Sequence, residues 1–350
     1  MGPRPIRVMA VDDSAVARAV YARILAAHGD LQLVAQAAGA RQAASSLDEM
    51  AVDVILLDLE MPQMGGLQAL PDLLARAGRA RVLVVSSSCG TGAEATVNAL
   101  RLGAADTLTK PDGYLFAGAF GDALVERIRR LGRPLIEPGA CPEALPAVRP
   151  VSAVPEMVGI AASTGGVHAL TRFLGALSPA FSAPLLVTQH LPAAFTPFFA
   201  TQLREASGRP VRIAASGLQP QAGEILLAPG DAHLTLARTG SVTHVRLEGG
   251  RSASGCLPSA DPMLLSLARL YGPAAVAIIL SGMGRDGAEG AAALVAAGGQ
   301  LAAQDQASSV VWGMPGTVVR RGLARAVLPP DGLAGWLTQD SDKKGGSSWK

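Results

Sequence analysis

Ser163, His190 and Asp286 are the three residue types of nucleophilic acyl transfer: a hydroxyl to attack, an imidazole to take its proton, and a carboxylate to orient the imidazole. A second group, Asp12, Asp13 and Asp58, offers hard oxygen ligands suited to magnesium, and Asp58 could itself attack a phosphoryl group. Ser86 adds a hydroxyl, and Lys110 a positive point charge for phosphoryl oxygens. Neither group is contiguous in sequence, so both chemistries need a fold that gathers distant positions.

The hydropathy pattern supplies such a fold. Ile6-Val11, Leu31-Ala37, Val54-Leu57, Val82-Val85 and Asp106-Leu108 read as strands, with amphipathic helical stretches between and after them. Five β/α repeats predict a doubly wound, flavodoxin-like parallel sheet, in which ligands gather at the carboxyl ends of the strands. Asp12 and Asp13 directly follow the first strand, Asp58 the third, Ser86 the fourth and Lys110 the fifth. Lys110-Pro111 also invites a cis peptide that would aim the lysine inward. Asp13 or Ser14 is equally suited to capping the first helix, but capping does not account for five such residues at four strand ends.

Beyond residue 132 the composition changes. Pro134, Pro138, Pro142, Pro146 and Pro150 recur every fourth residue, which forbids a stable helix and marks residues 133–155 as an extended linker. From Met157 the alternation resumes, with strands expected at Met157-Ile160, Leu185-Thr188, Val211-Ala214, Glu224-Leu227, Val242-Leu247 and Val276-Leu280, and helices at Thr171-Leu177, Pro197-Ala206, Met263-Tyr271 and Ala288-Ala297. The domains are therefore expected at 1–132 and 156–340. Residues 341–350 read as a polar tail.

In the second domain the strand-turn-helix around Ser163 runs Ala161-Ala162-Ser163-Thr164-Gly165-Gly166. Alone it suits an anion-binding or capping loop slightly better than a nucleophile. His190, after the next strand, and Asp286, in Ser281-Gly282-Met283-Gly284-Arg285-Asp286-Gly287, shift the balance. His233, beside a Pro-Gly turn, is the rival base; His28, His168 and His244 compete less well. The order Ser, His, Asp differs from that of the α/β-hydrolases, and Ala161 breaks their Gly-x-Ser-x-Gly elbow.

Two resemblances bring the motifs together. Val11-Asp12-Asp13-Ser14, Leu57-Asp58-Leu59-Glu60-Met61-Pro62, Ser86 and Thr109-Lys110-Pro111 resemble the receiver domain of two-component response regulators. That likeness implies phosphorylation of Asp58 by a histidine kinase, magnesium held by Asp13, Asp58 and the Glu60 backbone with Asp12 in support, and a phosphoryl group bound by Ser86 and Lys110. The chain departs from the pattern at Thr107, where many receivers carry an aromatic switch residue, and at Gly65, where Met-Asp-Gly is common. The second half is similar to the catalytic domain of the chemotaxis protein-glutamate methylesterases, the CheB family, through Ala162-Ser163-Thr164-Gly165-Gly166, Gln189-His190-Leu191-Pro192, Leu227-Ala228-Pro229-Gly230, the Gly282-Gly287 segment and Ala303-Gln304-Asp305-Gln306-Ala307-Ser308. It departs at Ala161 and at Ser254-Gly255-Cys256-Leu257, where relatives typically carry a His-Arg pair.

This second likeness implies hydrolysis of glutamate methyl esters on the cytoplasmic helices of chemoreceptors and an oxyanion site at the Met283 N–H with Thr164 nearby, and it leaves open whether receptor glutamines are also deamidated. The unphosphorylated receiver is expected to pack over the cleft through the proline-rich linker, with phosphorylation of Asp58 relieving the block. No cofactor is expected for ester hydrolysis. The alternatives are a receiver-linked docking adaptor without catalysis and a serine hydrolase of another substrate.

Composition narrows the remaining classes. At 350 residues, 49% hydrophobic and 17% charged, the chain is globular, and its net charge of +2 without a basic, aromatic-laced run makes nucleic acid an unexpected partner. No apolar stretch is long enough to span a bilayer, so a cytoplasmic protein without membrane insertion is expected. Cys89, Cys141 and Cys256 lack metal-site spacing and read as free thiols without special chemistry.

Overall fold

Continuous apolar runs such as Val54–Leu57, bounded by polar strand ends, are what a parallel strand buried on both faces requires. The computed structural model describes residues 4–62, 64–86, 90–111, 118–133, 148–151 and 154–338. It divides into two compact units, Met1–Leu135 and Ile136–Lys350.

The first unit runs β1 (Ile6–Val11), α1 (Ala15–Ala26), β2 (Leu31–Ala37), α2 (Ala40–Glu49), β3 (Val54–Leu57), α3 (Gly66–Arg76), β4 (Arg81–Ser86), α4 (Gly90–Leu102), β5 (Asp106–Thr109) and α5 (Ala119–Gly132). Its strands pair in parallel in the order β2-β1-β3-β4-β5, the flavodoxin-like arrangement expected from the repeats. Ser14 caps α1, its hydroxyl accepting from the Ala17 N–H at 3.2 Å, so the capping role falls to Ser14 and leaves both neighbouring aspartates for the site. The Lys110–Pro111 bond is trans; the cis bond among the described residues is Leu257–Pro258.

The second unit runs β6 (Met157–Ala162), α6 (Gly166–Ala176), β7 (Leu185–Gln189), α7 (Thr196–Ser207), β8 (Val211–Ile213), β9 (Ile225–Leu227), β10 (His233–Thr239), β11 (Val242–Glu248), α8 (Ala260–Tyr271), β12 (Ala275–Ile279), α9 (Ala288–Ala296), β13 (Gln300–Gln304), α10 (Met314–Arg320), β14 (Ala326–Leu328) and α11 (Pro330–Thr338). Seven strands form a parallel sheet in the order β14-β13-β12-β6-β7-β9-β8, while β10 and β11 make a separate antiparallel hairpin. The chain lays β7 on one side of β6 and β12 on the other, so the direction of winding reverses at β6. In a doubly wound sheet a ligand crevice opens at such a reversal. One face of the sheet is sealed by apolar packing, with Met263, Leu264 and Leu267 of α8 against Ala161, Ala277 and Ile279.

Five elements differ from the sequence expectation: the strands β10, β13 and β14 and the two C-terminal helices α10 and α11 were not foreseen. Gln300-Leu-Ala-Ala-Gln304 is alanine-rich and lacks the β-branched residues that advertise a strand; burial between β12 and β14 makes it one. The linker also differs in part. Residues 134–147, with four of the linker's six prolines, lie outside the described residues. In 148–151, by contrast, the Arg149 N–H donates to the Arg325 carbonyl at 3.1 Å, the Trp336 indole N–H donates to the Arg149 carbonyl at 2.7 Å, and Val151 is buried. This stretch is fastened to the second unit. The tail 341–350, Cys89 and Cys141 also lie outside the described residues.

Candidate active site

In the first unit, the ends of β1, β3 and β5 bring Asp12, Asp13, Asp58 and Lys110 together. Ligating oxygens of the three aspartates lie within 4.8 Å of one another. Asp12 and Asp58 are buried, and the Lys110 ammonium donates to Asp12 Oδ2 at 2.9 Å and to Asp58 Oδ2 at 2.7 Å. The lysine is therefore aimed by charge across a trans peptide, without the isomer its sequence invited. The Glu60 N–H donates to Asp58 Oδ1 at 3.2 Å, and Tyr21 Oη donates to Asp12 Oδ2 at 3.3 Å.

Burial pushes the Asp58 carboxyl above its ordinary range, with Lys110 pulling the other way and losing. Burial likewise opposes the Lys110 charge, but its hydrogen bonds to Asp58 and Asp12 outweigh that and raise its pKa. Tyr21 is raised by burial and then by the two carboxylates. An all-oxygen cluster with excess negative charge fits a hard divalent cation. Ser86 ends β4, but its hydroxyl is turned to Thr96 Oγ1 at 2.9 Å. Because Thr96 commits its own proton to the Gly92 carbonyl at 2.7 Å, Ser86 is the donor in that pair. Ser86 thus has a resting partner that it must release to meet a phosphoryl oxygen. Thr107 lies within β5, where it pairs with Val84.

In the second unit, β6, β7 and the loop after β12 deliver Ser163, His190 and Asp286 to one crevice. The Ser163 N–H donates to the Ser281 carbonyl at 3.0 Å, tying the loop after β6 to the loop after β12. Gly165 then takes φ +75°, a turn that favours glycine, and α6 begins. Gly282 comes so close that a Cβ there would stand 2.9 Å from Ser163 Cβ and 2.3 Å from Met314 Sδ, so the glycine lets the two loops meet. Met283 and Thr164 flank these two contact points in sequence, and the Thr164 carbonyl accepts from Ser281 Oγ at 2.8 Å.

His190 joins the other two triad members. Its Nδ1 is 3.0 Å from Ser163 Oγ, and its Nε2 is 2.8 Å from Asp286 Oδ2. With Nε2 protonated toward the carboxylate, Nδ1 is free to accept the serine proton, which is the tautomer a general base needs. Asp286 is almost fully buried and saturated with donors. Ser259 Oγ and Ser254 Oγ donate to its Oδ1 at 2.5 and 2.7 Å, and the Ala260 N–H, in the first turn of α8, donates to Oδ2 at 2.7 Å. Burial acts to raise this carboxyl, yet His190, the Ala260 N–H and Ser259 together hold it well below the usual carboxylate range. For His190, burial acts downward, but hydrogen bonds with Asp286 and Cys256 overcome it and push the pKa up to about 9. The arrangement can activate a serine and stabilise the imidazolium that forms.

His233, the rival base, is occupied elsewhere: at the start of β10 it is buried, and its Nδ1 accepts from the Ser259 N–H at 2.9 Å. It supports the residue that holds Asp286. Cys256 corrects the expectation of an inert thiol, because it sits against His190, and that hydrogen bond lowers its pKa in spite of burial. Ser254, Ser259 and Cys256 escaped the sequence reading because they lie in a Gly/Ser-rich loop without periodicity. The only local signal was Ser259, followed by Ala260-Asp261 and an apolar run, the form of a helix cap.

Among the described residues no helix is long and apolar enough to cross a membrane. The CheB methylesterase family model matches residues 158–337, and the response regulator receiver domain model matches residues 8–114. A protein-glutamate methylesterase/protein-glutamine glutaminase of Caulobacter vibrioides is 43% identical over 343 residues, covering 95% of this chain and 98% of the relative. One from Paramagnetospirillum magneticum is 39% identical, covering 95% of each. The crystal structure of the Thermotoga maritima CheB methylesterase catalytic domain superposes with a TM-score of 0.52 at 34% identity, covering 53% of this chain and 99% of that one. The loop from β6, the histidine after β7 and the donor-saturated aspartate after β12 thus lie within the matched span, and the chain belongs to the CheB methylesterase family, with a response regulator receiver domain ahead of its catalytic domain.

Proposed function

We propose that the chain is a phosphorylation-activated protein-glutamate methylesterase of bacterial chemotaxis, acting in the cytoplasm on methylated chemoreceptor helices and also deamidating receptor glutamines. The observation that carries this reading is the unbroken hydrogen-bonded line from Ser163 through His190 to Asp286. The double activity in the relatives' names supports the deamidation.

The reaction follows from the geometry. His190 Nδ1 takes the Ser163 proton as Oγ attacks the ester carbonyl, and Asp286 stabilises the imidazolium through Nε2. Negative charge on the carbonyl oxygen is met by the Met283 N–H and by Thr164, beside the contact where Gly282 closes on Ser163. The imidazolium returns its proton to the departing methoxide, and methanol leaves an acyl-enzyme. His190 then draws a proton from water, which attacks the acyl carbon, and glutamate and free Ser163 are restored. With a glutamine substrate the same steps release ammonia.

In the receiver, Asp58 accepts the phosphoryl group from a histidine kinase, and Lys110 and Ser86 bind its oxygens. Asp12, Asp13, Asp58 and the Glu60 backbone would hold magnesium, which when bound neutralises the carboxylates and the incoming phosphoryl oxygens. The deciding assay is methanol release from methylated receptors with and without a small phosphodonor. Release that is stimulated by the phosphodonor and lost in Ser163→Ala is expected. No release from the intact chain would identify a docking adaptor, and release without stimulation an unregulated hydrolase.

A further inference from the structure

Cys256 itself forms no bond and moves no proton in the ester chemistry just described. Its position is nevertheless fixed: the Cys256 carbonyl accepts from Ser252 Oγ at 3.2 Å, and its N–H donates to Ser254 Oγ at 3.4 Å. This short turn presents the sulfur to the edge of the triad. One ligating atom each from Cys256, His190 and Asp286 lie together within 4.8 Å.

We propose that Cys256, His190 and Asp286 form a binding site for a zinc-type divalent cation that blocks the catalytic triad when occupied. Sulfur, imidazole and carboxylate are the donors zinc takes, at about 2.0–2.3 Å, so that in a tetrahedral shell the donor atoms stand roughly 3.3–3.7 Å apart. That spacing lies inside the 4.8 Å that already encloses the three donor atoms. Three protein ligands leave a fourth position for water, the coordination of an open site.

The outer shell is already built. After the cation replaces the Nε2–Oδ2 hydrogen bond, Asp286 still accepts from Ser254, Ser259 and Ala260, and the other ring nitrogen of His190 still faces Ser163 Oγ. Hydrogen-bonded carboxylates and imidazoles of this kind are what orient metal ligands. Binding releases the Cys256 thiol proton to solvent. Below about pH 9 the imidazolium also sheds its Nε2 proton to solvent; at any pH the ring ends neutral with its one proton on Nδ1, because Nε2 now donates its lone pair to the cation. An Nδ1–H can only donate to Ser163, so the base is lost. Inhibition follows from the tautomer, without any obstruction of the crevice. This consequence rests on the triad proposed above; binding itself needs only the three donors.

The test uses the intact chain, saturated with magnesium to occupy the receiver carboxylates, in a phosphine reductant. Titration with cobalt(II) is expected to give a thiolate-to-cobalt charge-transfer absorption that saturates at one equivalent, is bleached by zinc, and is absent in Cys256→Ser. Zinc is expected to inhibit methanol release reversibly on chelation, and about tenfold or more less effectively in Cys256→Ser, each protein being compared with its own metal-free rate. In the wild-type protein zinc should also shield Cys256 from iodoacetamide, read by peptide mass spectrometry without any variant. A charge-transfer band retained in Cys256→Ser, or no zinc protection of Cys256, overturns the site. Because the cobalt spectrum and the alkylation need no turnover, they decide the site even if the chain proves not to hydrolyse receptor esters.

Discussion

Asp58, at the end of β3, and Asp286, in the loop after β12, are both buried carboxylates on the carboxyl side of a parallel sheet, and the two units treat them oppositely. Asp58 is balanced mainly by one flexible cation, Lys110, with a single backbone donor from Glu60, and burial wins, leaving its pKa raised. Asp286 is met by two hydroxyls, a helix N-terminal N–H and an imidazole, and there the donors win, leaving its pKa lowered. The contrast matches the roles proposed for the two groups. A residue that must take up a cation and a phosphoryl group is left under-satisfied, so incoming charge is welcome. A residue that only orients a neighbour is fully coordinated, so nothing competes for its geometry.

The comparison breaks first at the orienting aspartate. Asp286→Asn is expected to lower kcat for methanol release by roughly 10⁴-fold whether or not phosphodonor is present, because an amide cannot hold Nδ1 in its accepting form. Asp58→Asn should instead remove the response to phosphodonor, read as equal rates with and without it. If both variants lost only the response, or both lost only turnover, the proposed division of roles would be wrong.

The pH dependence sharpens the contrast. With the His190 pKa at about 9, kcat/KM should climb from neutral pH to a plateau above that value, since only the neutral ring accepts a proton. Stability moves the other way. A histidine raised from 6.5 to about 9 contributes stability that is complete below 6.5 and lost as pH rises through 9, so melting temperature should fall while activity grows. Cys256→Ser removes one of the groups raising His190 and should shift the activity midpoint downward. The smallest effect is expected at Ser259→Ala, which leaves Asp286 three other donors. A loss of about tenfold in kcat with unchanged KM, the scale of one hydrogen bond to a charged group, would mark Ser259 as a positioning residue.

Much of this was legible in the sequence, because strand ends are legible. Asp12, Asp58, Ser163 and His190 each follow a largely apolar strand whose length and company identify it, Lys110 follows the short β5 as the fifth β/α repeat, and parallel winding then brings each site together without further information. Asp286 was reachable for the same reason. The groups that tune them were not. Ser254, Cys256, Ser259 and His233 act through the close approach of the loop after β11 and the hairpin to the loop after β12, and no periodicity encodes such a meeting. The resting partner of Ser86, Thr96, is likewise visible only once α4 is packed beside β4.

The strand order also bears on how the enzyme comes into being. Ser163 and His190 leave neighbouring strands 27 residues apart in sequence, but Asp286 lies 96 residues beyond His190 and reaches them only when β12 zips onto the far side of β6. Contacts of such separation close late, after nearer ones have restricted the chain. During synthesis the nucleophile and its base would therefore emerge well ahead of the carboxylate that sets their geometry. Catalytic competence is then a report that the central strands of the second sheet have finished assembling, and a chain interrupted before β12 would be a silent one.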